Sequence, residues 1–263
     1  MKCILQGDRI IASGSRRENC TGMMTDRYTY DGTFGGFLTA AVLCFRRHRT
    51  PREIVPLYVM ARIDRGSGYE YEHVRTSDKD AGHLFSVIAD VATVEAQQTV
   101  MDFFLCCHPD KEMILYRYIY KALSVGAPIA ENYSDETVKV VRKAVLDLYR
   151  EAQSVLPGIE FARQKDVSCA VISPRNIIMP IISRSVLRRE DVDDLLLYDR
   201  NHCILLERSG DAGRLMDVRR LINSSVMNAL TVYESVWPHI SDGFCGSAPG
   251  TKFALQNGLW EVC

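Results

Sequence analysis

The chain has 263 residues, 47% apolar and 25% charged, with 32 lysines and arginines against 33 acidic residues. These values suit a globular protein with a sizeable core and exclude collagen-like, low-complexity and wholly disordered chains. The longest mostly apolar run, Phe34–Phe45, is about half of what a bilayer crossing needs, and the neutral balance argues against wholesale binding to nucleic acid or membrane.

Residues 1–27 read as an N-terminal extension, either a weakly ordered arm or a stretch upstream of the true start, because they lack apolar periodicity. Tyr28-Thr29-Tyr30 alternates like a short strand, Asp31-Gly32 makes a turn, and Thr33 can cap a helix. Phe34, Phe37, Leu38, Ala41, Val42 and Phe45 recur at helical spacing, which predicts a helix over about 34–47 that Pro51 follows. Residues 54–75 read as an irregular connection. Further helices are expected from Ser77-Asp78, over about 95–107, after Pro109-Asp110 as far as Gly126, and from Ser134-Asp135-Glu136 to Pro157-Gly158. Such a succession of apolar stripes predicts a helical bundle over 28–158.

The pattern then changes. Val167–Ile172 reads as a strand, Arg175–Leu187 as an amphipathic helix, and Leu195–Tyr198 and Cys203–Leu206 as strands joined by the turn-prone Asp199-Arg200-Asn201. The fold class expected is therefore α+β: an N-terminal helical bundle followed, over 159–210, by a small β-α-β-β unit with an antiparallel sheet. Residues 211–263 read as a C-terminal helix, about 222–236, and a tail.

Nine cysteines without a C-x-x-C pair, and no signal-peptide core, point to a reducing, cytoplasmic setting. Phosphate-loop, dinucleotide, zincin and nucleophile-elbow motifs are missing from the sequence, and the six histidines are scattered. No metal or other cofactor is expected. Local charge is more informative than the total. Between Glu160 and Arg189 six bases (Arg163, Lys165, Arg175, Arg184, Arg188, Arg189) face two acids, and the acidic run Glu190–Asp194 follows. Arg184 and Arg188 are four apart on one helix face, and Arg175 and Asn176 lie at that helix's expected start, so the face suits phosphate. A solvated face whose basic end balances the acidic loop explains the same residues. A second cluster, Arg46–Arg52, either extends this surface or compensates the end of its own helix.

Tyr30-Asp31-Gly32-Thr33-Phe34 followed by Gly36-Phe37-Leu38 resembles the opening motif of a bacterial family assigned to DNA repair or DNA metabolism. That family is a domain of unknown function also found fused to uracil-DNA-glycosylase-like domains and paired in genomes with a radical SAM protein. The likeness continues, in order, through Phe104-Leu105, Lys111-Glu112, Ile114-Leu115, Tyr118-Ile119, Glu151, Gly158, Phe161, Ile172–Ile178 and Leu197-Tyr198-Asp199. The chain departs from the pattern at Gln153 and Ser154, where the family carries histidine and arginine, and at Glu160, where it carries a base. The resemblance implies a DNA-associated accessory protein; the local basic segment in a neutral chain adds that it contacts DNA weakly, or with its partner's help, through Arg163, Lys165, Arg175, Asn176, Arg184 and Arg188. The alternative is a non-catalytic adaptor that docks on a radical SAM partner without touching DNA itself; no membrane contact is expected in either reading. A third reading, an enzyme acting on DNA, would use Tyr30, Asp31 and Glu151. The missing imidazole weakens it, because glutamine moves no proton near neutral pH.

Overall fold

A computed structural model of the chain describes residues 3–6, 9–12, 26–60, 69–164, 167–189, 194–210 and 212–218. It divides into two compact units, residues 1–145 and 146–263. The division falls inside a single helix.

Within the stretch read as an extension, β1 (Cys3–Gln6) and β2 (Arg9–Ala12) pair antiparallel. In the rest of the first unit, β3 (Arg27–Tyr30) lies between β4 (Glu53–Pro56) and β5 (Glu72–His73), parallel to both. Helix α1 (Phe34–Arg46) connects β3 to β4, as parallel neighbours require a crossover. The connection expected to be irregular therefore supplies two strands and a one-turn helix, α2 (Leu57–Met60). The unit is thus not an all-helical bundle but helices packed with a parallel sheet. Tyr28, Thr29 and Tyr30 are all buried, which is the continuous burial of a parallel strand rather than half-exposed alternation.

The helices start where short hydroxyl side chains satisfy orphan amides. Thr33 accepts from Gly36 N–H in α1, Ser77 from Asp80 N–H in α3 (Asp78–Val91), and Thr93 from Ala96 N–H in α4 (Val94–Leu105). Helix α5 (Lys111–Val125) stops at Gly126, whose φ of +76° few other residues adopt. The stripes read from the sequence form the core, with Phe37, Leu38, Leu84, Ile88, Val100, Phe103, Leu115 and Ile119 all buried. Phe34 stands edge-on to Phe85 at 5.5 Å and tilted against Phe104 at 5.2 Å. Phe85 and Phe104, both buried, contribute about 1.5–3 kcal/mol each by leaving water.

The division between units falls within α6 (Glu136–Val155). Asp135 accepts from Thr137 and Val138 N–H at its start, and Val138, Val141, Leu148 and Ala152 on its predicted stripe are buried.

The second unit holds a five-stranded sheet in the order β10-β9-β8-β7-β6. Its strands are β6 (Ala162–Gln164), β7 (Val167–Ile172), β8 (Leu195–Asp199), β9 (Ile204–Ser209) and β10 (Ala212–Asp217). Helix α7 (Met179–Leu187) connects β7 to β8, which are parallel; the other pairs are antiparallel. The order β-α-β-β matches the expectation, but the sheet is mixed, not antiparallel, because a helical crossover returns the chain in the direction it left. Gly213 leaves room for Leu187 of α7, whose side chain a Cβ there would strike. The other face carries Val167, Cys169, Leu196, Tyr198, Leu205 and Val218 as one apolar cluster. The helix expected over 222–236 lies outside the described residues.

Candidate functional site

Two of the residues singled out for acid–base work lie in the first unit, and both have structural employment. Tyr30 is 1% exposed and its hydroxyl donates to Glu112 Oε1 at 3.1 Å. Burial, followed by the charge of Glu112, pushes its phenol well above the ordinary tyrosine value, so it holds its proton. Asp31 Oδ1 accepts from Thr33 N–H (2.9 Å) and Thr33 Oγ1 (2.7 Å), while Oδ2 accepts from Thr76 Oγ1 (2.8 Å). A Cβ on Gly36 would overlap Asp31 Oδ1, so that glycine is required by the aspartate beside it. The motif is a strand end, a turn and a helix cap in one.

The Arg46–Arg52 cluster is also largely committed. Arg46 forms a two-pronged pair with Asp80, Arg47 with Glu72, and Arg49 reaches Asp26 at 3.3 Å. Of the two readings open from the sequence, charge compensation accounts for these side chains, although their acidic partners come from other segments.

Glu151, the third acid–base candidate, lies on α6 in the second unit. Its Oε1 accepts from Arg175 N–H at 2.6 Å, and its Oε2 accepts from Asn176 N–H at 2.9 Å and Asn176 Nδ2 at 2.7 Å. This carboxylate joins two of the residues predicted for phosphate binding, but it does so by filling their amides. Helix α7 consequently begins at Met179, not at Arg175. The amides of Arg175 and Asn176 are not a vacant helix start.

The loop that Glu151 holds leaves the end of β7 and lies against the turn that leaves β8. Arg200 N–H donates to Ile172 O at 3.0 Å, and Asn201 Nδ2 donates to Pro174 O at 2.8 Å. Within that turn Asp199, with no exposure at all, accepts from the N–H groups of Asn201 and His202 through Oδ1. Its Oδ2 meets His202 Nδ1 at 2.7 Å, and the imidazole is 18% exposed. A carboxylate on Nδ1–H fixes the tautomer and leaves the lone pair on Nε2. Ser173 and the Arg175 side chain are exposed at the same rim. In the sequence Asp199 and Asn201 belong to a turn, with Asp199 also in the family likeness, and His202 is one of six scattered histidines. The available signal was an Asp three residues before a His directly after an apolar strand.

The remaining predicted arginines sit at the opposite end of the sheet. Strands β7 and β8 run toward the rim and α7 runs back, so Arg184 and Arg188 lie toward the other end. Arg163 joins them there on β6, opposite Ser168. Arg163, Arg184 and Arg188 are exposed. Neither Arg184 nor Arg188 forms an ion pair among the described residues. Their neighbours are engaged: Arg189 donates to Ile159 O at 2.8 Å and lies over the Phe161 ring, and Arg208 donates to Leu187 O and Arg189 O. Arg208 thereby caps the carbonyl end of α7. Arg175 and Arg188 are thus at two ends of the unit rather than on one continuous face. Lys165 lies outside the described residues.

Residues 109–239 match a family described as a domain of unknown function, DUF4130. The match takes in Glu112, Glu151, the whole β7–β8 rim and the α7 arginines, and it leaves out Tyr30 and Asp31. No curated protein matches the chain. Among the described residues no helix is long and apolar enough to cross a membrane, and no three acidic, histidine or cysteine side chains gather as metal ligands.

Proposed function

We propose that the protein is a DNA repair or DNA metabolism accessory factor whose second unit contacts nucleic-acid backbone through the carbonyl end of α7. The observation that carries this reading is the pair Arg184 and Arg188, exposed and four residues apart, with no ion pair among the described residues. Guanidinium groups so placed meet successive phosphates with charge-assisted hydrogen bonds. Arg163 on β6 adds a third cation at the same end. The engagement of Arg46, Arg47 and Arg49 by carboxylates keeps the footprint small, which suits weak or partner-assisted binding. The family resemblance supplies the nucleic-acid context and the radical SAM protein as partner.

The test is fluorescence anisotropy with short single-stranded and duplex DNA over a range of salt. Two to three phosphate contacts give a slope of log K against log salt of about −2 to −3, and the Arg184→Ala/Arg188→Ala variant should reduce its magnitude by about 2. An unchanged slope in that variant removes the α7 end from consideration. Salt-resistant co-purification with the radical SAM protein, with no DNA affinity in either protein alone or together, would favour the adaptor reading instead.

A further inference from the structure

The rim formed where β7 and β8 end is chemically distinct from the α7 arginines and does not depend on them. Its backbone is cross-tied by Arg200 N–H to Ile172 O and by Asn201 Nδ2 to Pro174 O. Its carboxylates are turned inward. Glu151 accepts three donors, and Asp199 accepts two backbone amides besides the imidazole. What the rim offers outward is different. His202 Nε2 has no hydrogen-bond partner among the described residues, its side chain is part-exposed, and Ser173 and Arg175 are exposed. In open sheets, ligands bind beyond the carboxyl ends of parallel strands, where the connecting loops leave a crevice.

We propose that this rim is a binding site for a small phosphate-bearing ligand. Arg175 meets the anionic oxygens, Ser173 donates to one of them, and His202 Nε2 takes a hydrogen bond from the ligand's hydroxyl or from a phosphate oxygen that carries a proton. Asp199 is a positioning residue: it fixes which imidazole nitrogen faces the ligand. Glu151 is another, because it holds Arg175 and Asn176 in the loop conformation that brings the guanidinium to the rim. Carboxylates with their lone pairs already engaged repel an incoming phosphate less than free ones do, which lets an anion approach a site lined by two acids.

The experiment is nuclear magnetic resonance of the full chain, observing the imidazole carbons and nitrogens of His202. The probes are inorganic phosphate, a thymidine dinucleotide with one phosphodiester, and uncharged thymidine. The proposal expects saturable shifts at His202 with phosphate or dinucleotide, none with thymidine, and loss of the shifts in Arg175→Ala. Shifts with inorganic phosphate alone identify a phosphate-monoester site, and shifts with the dinucleotide as well identify a nucleotide site. In Asp199→Asn the nitrogen shifts should report a changed tautomer while the protein stays folded. His202→Gln, monitored at the amides of Ser173, Arg175 and Asn176, keeps the test open if Asp199→Asn fails to fold. Unmoved His202 signals with both anions, or equal shifts in Arg175→Ala, would overturn the proposal. The Arg184→Ala/Arg188→Ala variant must leave these shifts intact, so failure here is separable from failure of DNA binding at α7.

Discussion

Replacing Glu151 by glutamine tests whether this carboxylate is a structural tie. It accepts Arg175 N–H at 2.6 Å on one oxygen and two donors of Asn176 on the other. Glutamine has a single acceptor oxygen. If that oxygen takes the Asn176 side, both Asn176 bonds survive and the new NH2 faces the Arg175 N–H, donor against donor. If it takes the Arg175 side, two bonds are lost. Even the milder case removes one charge-assisted bond and weakens two more, for a cost of about 1.5–3 kcal/mol. Glu151→Ala removes the acceptor of all three donors; the Arg175 amide, on an exposed residue, can rehydrate, whereas Asn176 is buried, so the cost is about 2–4 kcal/mol. A chain of two compact units need not unfold in one step. The decisive assay is therefore amide hydrogen exchange at Arg175 and Asn176, with urea unfolding alongside. Both amides should lose protection in Glu151→Gln. Unchanged exchange at both, with a stability change below about 0.5 kcal/mol, would refute the assignment.

Gly36→Ala should destabilise the chain by about 1–3 kcal/mol, because its Cβ would displace the Asp31 carboxylate from its Thr33 contacts; a thermal melt matching the parent's would contradict this. Glu207 is buried with neither carboxylate oxygen hydrogen-bonded among the described residues, and burial pushes its carboxyl above the ordinary glutamate value. A raised carboxyl contributes stability in full below the unfolded value and loses it as pH rises through the folded one. Glu207→Gln should accordingly gain on the parent progressively from pH 4 to pH 7 in urea midpoints, and a gain that shrinks with pH would contradict the sign.

Much of the local structure was readable from the residues. The apolar stripes of α1, α3, α4, α5 and α6 and the caps Thr33 and Ser77 are short-range signals, and they fall where their periodicity put them. The parallel sheet of the first unit was not, since β5 is only Glu72–His73 and β3 has four residues. Strands so short carry little periodicity, and their identity depends on partners distant in sequence. The start of α7 was misplaced for a related reason. Nothing between Pro174 and Ile178 tells that a glutamate 24 residues earlier takes the Arg175 amide. The side chains divide in the same way. Spacing alone puts Arg184 and Arg188 on one helix face, and both are exposed. Spacing does not tell that Glu151 fills the Arg175 amide, nor that His202 has a partner in Asp199, because both contacts depend on how the loops fold.

Strand β9 has the turn of His202 just before its first residue and Arg208, the clamp on α7, near its last. It is paired on both sides along its length, so it acts as a fixed ruler between the rim and the arginine end. That separation is about 13–17 Å, judged from five or so strand residues or the nine residues of α7. A small phosphate can occupy one end only. A ligand that bridges both must be an extended polymer covering about four to five base-pair rises of 3.4 Å each, so the length at which oligonucleotide affinity steps upward would measure whether the two ends ever serve one strand.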